Sequence, residues 1–188
     1  MTKSLPKKRV SKHEWLSCAL EVFARDGEPG VRIEALARQL GIAKAGFYWH
    51  FENREQLLKE LLAYWVHEYT EVIASNPRVR SLPADQRLLA TLELIYEHRL
   101  AGMDVHFQAW AQRDPAVNRK VREVTRTRLS FLRDIFLELG FDEQDADMRS
   151  RLTLGYEANE RLLFRFRSDK EAREMRRMRC ALLLAPAP

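Results

Sequence analysis

The chain has 188 residues, 32 of them Lys or Arg against 27 Asp or Glu, for a formal net charge of +5. A hydrophobic fraction of 46% beside 31% charged residues excludes intrinsic disorder and fits a globular chain with room for a real core. Seven glycines and seven prolines give too little punctuation for a sheet of short strands, so the expected class is all-α.

Cys18 and Cys180 lie at opposite ends with no Cys-x-x-Cys pair, which suggests neither a disulfide framework nor a zinc site and suits a reducing cytoplasm. No cofactor and no metal are expected. Apolar runs fall far short of the roughly 18 residues of a membrane span, and the basic front lacks the apolar stretch of a signal peptide. No membrane partner is expected either. The charge is uneven: residues up to Arg54 carry ten bases against six acids, while the rest is nearly balanced. Lys3, Lys7, Lys8, Arg9 and Lys12 precede the first acid, which points to an anionic partner such as DNA, or to a solubilising tail.

In chain order, Ser11-Lys12-His13-Glu14 reads as a capping box, and Trp15, Leu16, Ala19, Leu20 and Phe23 follow at the spacing of one buried helix face. Asp26-Gly27 should end this helix, and Pro29-Gly30 should turn the chain. A short second helix over 33–40 stops at Gly41, and a third spans about 43–50. Asn53 with Gln56 starts a long fourth helix whose stripe runs through Leu58, Leu61, Leu62, Trp65, Tyr69, Val72 and Ile73 until Asn76-Pro77 breaks it. Pro83 opens a fifth. A short sixth follows Gly102, carrying His106 and Trp110. Asp114-Pro115 caps a long seventh that ends at Gly140. The eighth covers about 143–166. Ser168-Asp169-Lys170-Glu171, a further capping box, begins the last. The layout is therefore about nine helices: an N-terminal three-helix unit at 1–52 and a C-terminal helical bundle at 53–188. The long fourth helix is expected to join the two rigidly.

From Ile33 to Phe51 the pattern is that of a helix-turn-helix. Gly41 can take the positive φ of the turn, Ala37 is small where helices cross, and Phe47 with Ala43 should face the first two helices. Phe47 and Phe51 should anchor the short third helix, which is too short to stand without tertiary packing. Lys44, Ala45, Tyr48 and Trp49 are left outward. Tyr48, Trp49 and His50 carry O–H or N–H donors suited to phosphate oxygens.

The run Gly41-Ile42-x-Lys44-x-x-Phe47-Tyr48-Trp49-His50-Phe51, followed by Asn53-Arg54 and a leucine-rich helix, closely resembles the DNA-binding signature of the TetR family of bacterial transcriptional regulators. The resemblance implies that Lys44, Ala45 and Gly46 lie nearest base edges, while Tyr48, His50 and Arg54 clamp phosphates. Arg32, near the start of the second helix, and Trp49 complete the expected DNA-binding set. Three positions depart from the family pattern: Ala43 and Gly46 stand where Ser or Thr is frequent, and Arg32 where Thr is frequent. Lys44 can reach guanine O6 and N7, whereas Ala45 and Gly46 offer only a methyl contact or close backbone approach.

The resemblance also implies a homodimer paired through the last two helices. Leu152, Tyr156, Asn159, Leu163 and Phe166 can line one face for that pairing. The C-terminal arginines, Arg161 to Arg179, read as a solvated face with Glu157–Arg161 and Asp169–Arg173 pairs at four-residue spacing. Trp65, Tyr69, Tyr96, Arg99, Met103, His106, Phe107 and Trp110 are candidates for the wall of a small-molecule effector pocket, although the same spacing suits plain core.

Enzyme chemistry is not expected. None of the five histidines has a Glu three residues before it, His67-Glu68 is followed by Glu71 at the next metal position, and no Gly-rich phosphate loop or Gly-x-Ser-x-Gly elbow occurs. The expectation is a cytoplasmic bacterial regulator, a repressor by preference, that binds a palindromic double-stranded DNA operator as a dimer and leaves it when an effector binds. The competing expectation is a helical interaction protein of the same fold with weak or no operator binding, suggested by Ala43, Ala45 and Gly46 in the recognition segment.

Overall fold

A computed structural model describes residues 9–71, 76–97 and 103–186, without the side chains of residues 69, 71, 161 and 162. Among these residues every regular element is helical, and they gather into two compact units, one up to Trp65 and the other from Val66.

In the first unit, α1 (Lys12–Gly30) begins at the expected box: the Glu14 amide donates to Ser11 Oγ at 3.2 Å and the Ser11 amide to Glu14 Oε2 at 2.7 Å. Trp15, Ala19, Leu20 and Phe23 are buried as their spacing requires. The expected stop at Gly27 is instead a kink. Gly27 takes φ 69° and helical turns resume to Gly30. α2 (Ile33–Leu40) ends where Gly41 adopts φ 70°, and the chain is turned by Gly41 and Ile42 amides donating back to Arg38 and Ala37 carbonyls at 3.2 and 3.0 Å.

The third helix differs from its expectation. It is a single six-residue 3-10 element, Lys44–Trp49, called the recognition turn below. Ala43 precedes it in extended backbone, φ −72° and ψ 144°, and supplies no side-chain cap, while Gly46 weakens α-helical propensity inside it. Ala43 is therefore outside the helix and exposed, so the four-residue rule that paired it with Phe47 does not hold.

α3 (Arg54–Val66) starts with the Gln56 amide donating to Asn53 Oδ1 at 2.9 Å, and buries Leu57, Leu58, Leu61, Leu62 and Trp65. Lys12 pairs with Glu60 at 2.6 Å, and His13 meets the Tyr64 ring edge-on at 5.5 Å, tying α3 to α1. The residues up to Trp65 thus cluster with the helix-turn-helix, whereas a boundary at 52/53 assigns them to the larger body.

The second unit opens on a π-turn, His67–Glu71, where the uniform α-helix expected through Ile73 gives way to wider spacing. Val72 and Ile73 lie outside the described residues. A one-turn helix missed by the sequence reading, α4 (Pro77–Arg80), is capped by Asn76, whose Oδ1 accepts from the Arg78 amide at 3.0 Å. α5 (Ala84–Glu97), α6 (Asp104–Ala111), α7 (Pro115–Glu138), α8 (Glu143–Leu163) and α9 (Asp169–Leu184) follow. Their shared core holds Leu88 and Leu92 of α5, Leu132, Ile135 and Phe136 of α7, Ala146 of α8, and Cys180 and Leu183 of α9. α8 stops three residues before its expected end because Phe164 turns to extended backbone, φ −121° and ψ 139°, which takes Phe166 off the helical face.

Candidate nucleic-acid interface

Phe47 is the pivot of the recognition turn. It is fully buried, stacked on Phe51 at 5.1 Å and edge-on to Trp15 at 5.4 Å, so the aromatic cluster substitutes for the stability a short helix lacks. With Phe47 fixed, the backbone turns Lys44, Ala45, Tyr48 and Trp49 to solvent, Tyr48 at 55% and Trp49 at 84% exposure. A Trp so exposed is unusual on a protein surface. Gly46 is tight: a Cβ there meets Ile42 Cδ1 at 3.3 Å, so the small residue lets Ile42 pack under the turn.

The polar side chains divide differently from their expected roles. Lys44 Nζ donates to Glu34 Oε1 at 2.6 Å on an exposed surface, and that bond raises the Lys44 ammonium pKa and lowers that of the Glu34 carboxyl. A base contact by Lys44 has to exchange this partner. Arg54 is turned inward: its Nε donates to the Val31 carbonyl at 2.7 Å, and one terminal nitrogen donates to the Glu28 carbonyl at 2.6 Å and the Glu28 carboxylate at 2.5 Å. It closes the loop between α1 and α2 instead of standing ready for phosphate. His50, half-buried, donates from Nε2 to the Val10 carbonyl at 2.8 Å, so that nitrogen too is committed within the protein. Arg32 is exposed at the N-terminal cap of α2, with Nε toward the Pro29 carbonyl at 3.4 Å.

A groove of about 610 Å³ runs beside the turn, lined among others by Arg9, Val10, Ala45, Gly46, Trp49 and His50. The placement of Arg9 and Val10 here was not read from the sequence. No local pattern links residues forty positions apart.

In the second unit the expected pairing face is partly present. Leu152 and Leu163 are 59% and 66% exposed, Tyr156 and Asn159 are half-buried, and Phe166 lies beyond the helix. Met148 on α8 and Met175, Met178 and Leu182 on α9 are exposed too, between 40% and 74%. The spacing of Met175, Met178 and Leu182 on one helix face was a legible signal that the basic residues around it hid.

Beneath this surface the arginine-rich end is not a uniformly solvated face. Arg179 pairs with Glu157 and, at 3.0 Å, with Glu160, and Arg176 is 4% exposed with its guanidinium 3.7 Å over the Tyr96 ring. Glu157 therefore pairs across to α9, and the Arg161 side chain expected beside it lies outside the described ones. Asp169 accepts from the Tyr96 hydroxyl at 2.9 Å. Burial, partly opposed by Arg179, pushes the Glu157 carboxyl up to about 7.

Of the effector-pocket candidates, Trp65, Met103 and Phe107 are buried, whereas Tyr96, His106 and Trp110 are half-buried. Trp65 belongs to the first unit and the others to the second. The Tyr69 side chain and Arg99 lie outside the described residues. Sequence reasoning missed a polar group close to Met103. Arg128 donates to Asp104 at 2.6 Å and to Thr70 Oγ1 at 3.3 Å, and Thr70, in the π-turn, is 3% exposed.

With this geometry in place, the likeness to known proteins is specific. Residues 16–61 match the family model described as bacterial regulatory proteins, tetR family. The chain is 29% identical over 65 residues to TtgW of Pseudomonas putida, an uncharacterized HTH-type transcriptional regulator, covering 35% of this chain and 48% of that one. It thus spans about half the length of that relative. Over 160 residues it is 27% identical to KstR2 of Rhodococcus jostii, an HTH-type transcriptional repressor, covering 83% of this chain and 74% of that one. The fold is similar to that of AibR, solved with isovaleryl coenzyme A and operator DNA, at TM-score 0.70 and 19% identity over 94% of this chain and 99% of that one. No described helix is long and apolar enough to cross a membrane. A glycine-turned pair of short helices, an aromatic anchor beneath an exposed recognition turn, and a family model that matches this same stretch mark residues 16–61 as a helix-turn-helix segment similar to that of the TetR family of bacterial regulatory proteins.

Proposed function

We propose that the protein is a homodimeric, cytoplasmic transcriptional repressor that occupies a palindromic operator and is released by a small-molecule effector. The observation that carries this reading is the recognition turn: Phe47 and Phe51 are buried while Lys44, Ala45, Tyr48 and Trp49 face solvent. Lys44, Ala45 and Gly46 approach base edges, Lys44 by exchanging Glu34 for guanine acceptors. Tyr48, Trp49 and Arg32 bind the sugar-phosphate backbone and set the register.

One turn of six residues reads few bases, so two copies on half-sites about 34 Å apart, or a multiple of that, are needed for specificity. The exposed apolar surface of α8 and α9 supports the pairing, and Gly155, on the exposed side of α8 with no atom within 4 Å of where a Cβ would stand, leaves room for a crossing helix. The effector reading is supported by apolar Met103 and Phe107 beside the Asp104–Arg128 pair, an apolar wall with few polar groups, and by the ligand of AibR. Release requires that the effector bind the operator-incompatible state more tightly than the bound one.

Selection from random duplexes with purified protein tests the reading. Enrichment of a two-fold symmetric site, with affinity falling steeply as salt rises, is the expected result. An unenriched pool with salt-insensitive retention would favour the interaction-protein reading, which the Lys44–Glu34 pair and the glycine at position 46 support.

A further inference from the structure

Several acids of the first unit brace it from within: Glu14 closes the cap of α1 with Ser11, Glu28 binds Arg54, and Glu60 pairs with Lys12. Glu34 is placed differently. It stands in the first turn of α2 with its side chain 62% exposed, and the turn at Gly41 brings its carboxylate to 2.6 Å from the Nζ of Lys44, ten residues on. Lys44 is itself 47% exposed, and the Tyr48 hydroxyl lies near the same ammonium. An exposed ion pair adds little to the stability of a fold, so the need to hold the turn does not account for a carboxylate at this place. Because the two groups touch, a surface that Lys44 reaches meets Glu34 as well.

We propose that Glu34 is a specificity-determining residue of the recognition surface, one that demands a cytosine or adenine amino group within one base pair of the guanine taken by Lys44. The proposal rests on the DNA-binding reading above. An ionised carboxylate accepts hydrogen bonds and donates none. Along the major groove of an anionic duplex, guanine O6 and N7 and thymine O4 are acceptors, whereas cytosine N4 and adenine N6 carry the donors. When Lys44 leaves Glu34 for guanine, the freed carboxylate therefore needs an amino group. Pressed against acceptors it is unpaired and repelled, and the ion pair stays closed. The 2.6 Å bond is shorter than the roughly 3.4 Å rise of one base pair, so the two targets lie in one pair or in successive pairs. The two preferences are thus coupled: taking the amino group away weakens the choice of guanine too.

The test is selection from random duplexes with the full chain, followed by fluorescence-anisotropy titration of the enriched half-site and its single-pair variants. It compares the wild type, Glu34→Ala, Glu34→Gln and Lys44→Ala. The guanine whose preference weakens most in Lys44→Ala marks the reference position. Within one pair of it, the wild type is expected to prefer cytosine or adenine over thymine or guanine on one strand by about 10-fold, the size of a hydrogen bond to a charged group. Glu34→Ala is expected to abolish that preference while binding duplexes of any sequence more tightly, since a negative charge leaves the surface. Glu34→Gln, whose amide both donates and accepts, should tolerate either orientation of the pair. Lys44→Ala should keep the amino preference, because the carboxylate remains. An amino preference unchanged in Glu34→Ala overturns the proposal. A preference that vanishes in Lys44→Ala as well overturns it too, for Glu34 would then hold Lys44 and read no base. A lowered melting temperature of unbound Glu34→Ala with the base preference intact would assign the acid to the start of α2 alone. If Glu34→Ala fails to fold, Glu34→Gln decides. A wild type that enriches no site is a distinct result, and it defeats the DNA-binding reading itself and this proposal with it.

Discussion

In the recognition turn the interior is apolar and the outside is mixed: Phe47 is fully buried, while Tyr48 and Trp49 stand in solvent near Lys44. In α8 and α9 charged groups share the interior with Ala146, Cys180 and Leu183. Glu157, Glu160 and Arg176 are 4%, 1% and 4% exposed, while Met148, Leu152, Met178 and Leu182 are between 56% and 74% exposed. Both regions show apolar surface, but the chemistry at its edge differs. Aromatic rings with O–H and N–H groups beside cations suit a charged partner that stays wet. Bare Leu and Met side chains suit a partner that removes water. Buried ion pairs under the second surface add little net stability, because desolvation offsets their attraction, and serve better to fix how α8 and α9 align.

That contrast can be broken at the aromatic anchor first. Phe47→Ala removes a fully buried ring stacked on Phe51 and should destabilise the first unit by about 3–5 kcal/mol, read by urea denaturation. A loss below about 1 kcal/mol would mean that the turn does not depend on its core.

The buried charges of α8 and α9 should show in pH dependence. A carboxyl raised from 4.5 to about 7 binds its proton more tightly in the folded than in the unfolded chain. Its contribution to stability is fully present below pH 4.5 and lost as pH rises through about 7, a change of about 3 kcal/mol. Glu157→Gln should flatten that part of the stability–pH profile. An identical profile in the variant would assign the titration elsewhere.

The exposed stripe is tested by Leu152→Glu with Met178→Glu. Sedimentation should show a dimer dissociation constant raised at least about 30-fold, equivalent to about 2 kcal/mol, with the helical content of each chain kept. A dimer of unchanged affinity would move the pairing surface off α8 and α9.

Gly41→Ala meets no neighbouring atom within 4 Å, so only the φ of 70° opposes it, at about 1–2 kcal/mol in thermal or urea unfolding. The smallest effect is expected from Tyr48→Phe. Loss of one hydroxyl donor to the backbone should weaken binding by about 0.5–1.5 kcal/mol, equally on specific and nonspecific duplexes, whereas Lys44→Ala should change which sequences are preferred. Uniform loss for Lys44→Ala would remove its base-reading role.

Local signals carried much of this architecture. Ser11 with Glu14, Asn53 with Gln56, Asp114 with Pro115 and Ser168 with Glu171 each start a helix as read, because a cap is satisfied within three or four residues. Burial of Phe47 and Phe51 followed from the shortness of their element. Local pattern did not reveal that Ala43 and Gly46 leave a 3-10 turn in place of an α-helix, or that α8 stops at Leu163. Those ends depend on small backbone preferences that packing overrides.

Side-chain partners were the least legible feature. Arg54 and His50 carry the types and positions of phosphate ligands, yet in the fold they bond to Glu28, Val31 and Val10. Glu157 meets Arg179 of another helix, a pairing that no spacing within α8 announces.

The amino-acid order by itself determined that the chain is helical, where its caps and glycine turn fall, and which rings sink beneath the recognition turn. These rest on interactions within a few residues, which a linear pattern encodes. Only tertiary structure decided which charges are buried, which histidine and arginine face inward, and that Arg9 borders the recognition groove. Each of these depends on a partner distant in the chain, and on the water lost when the two are brought together.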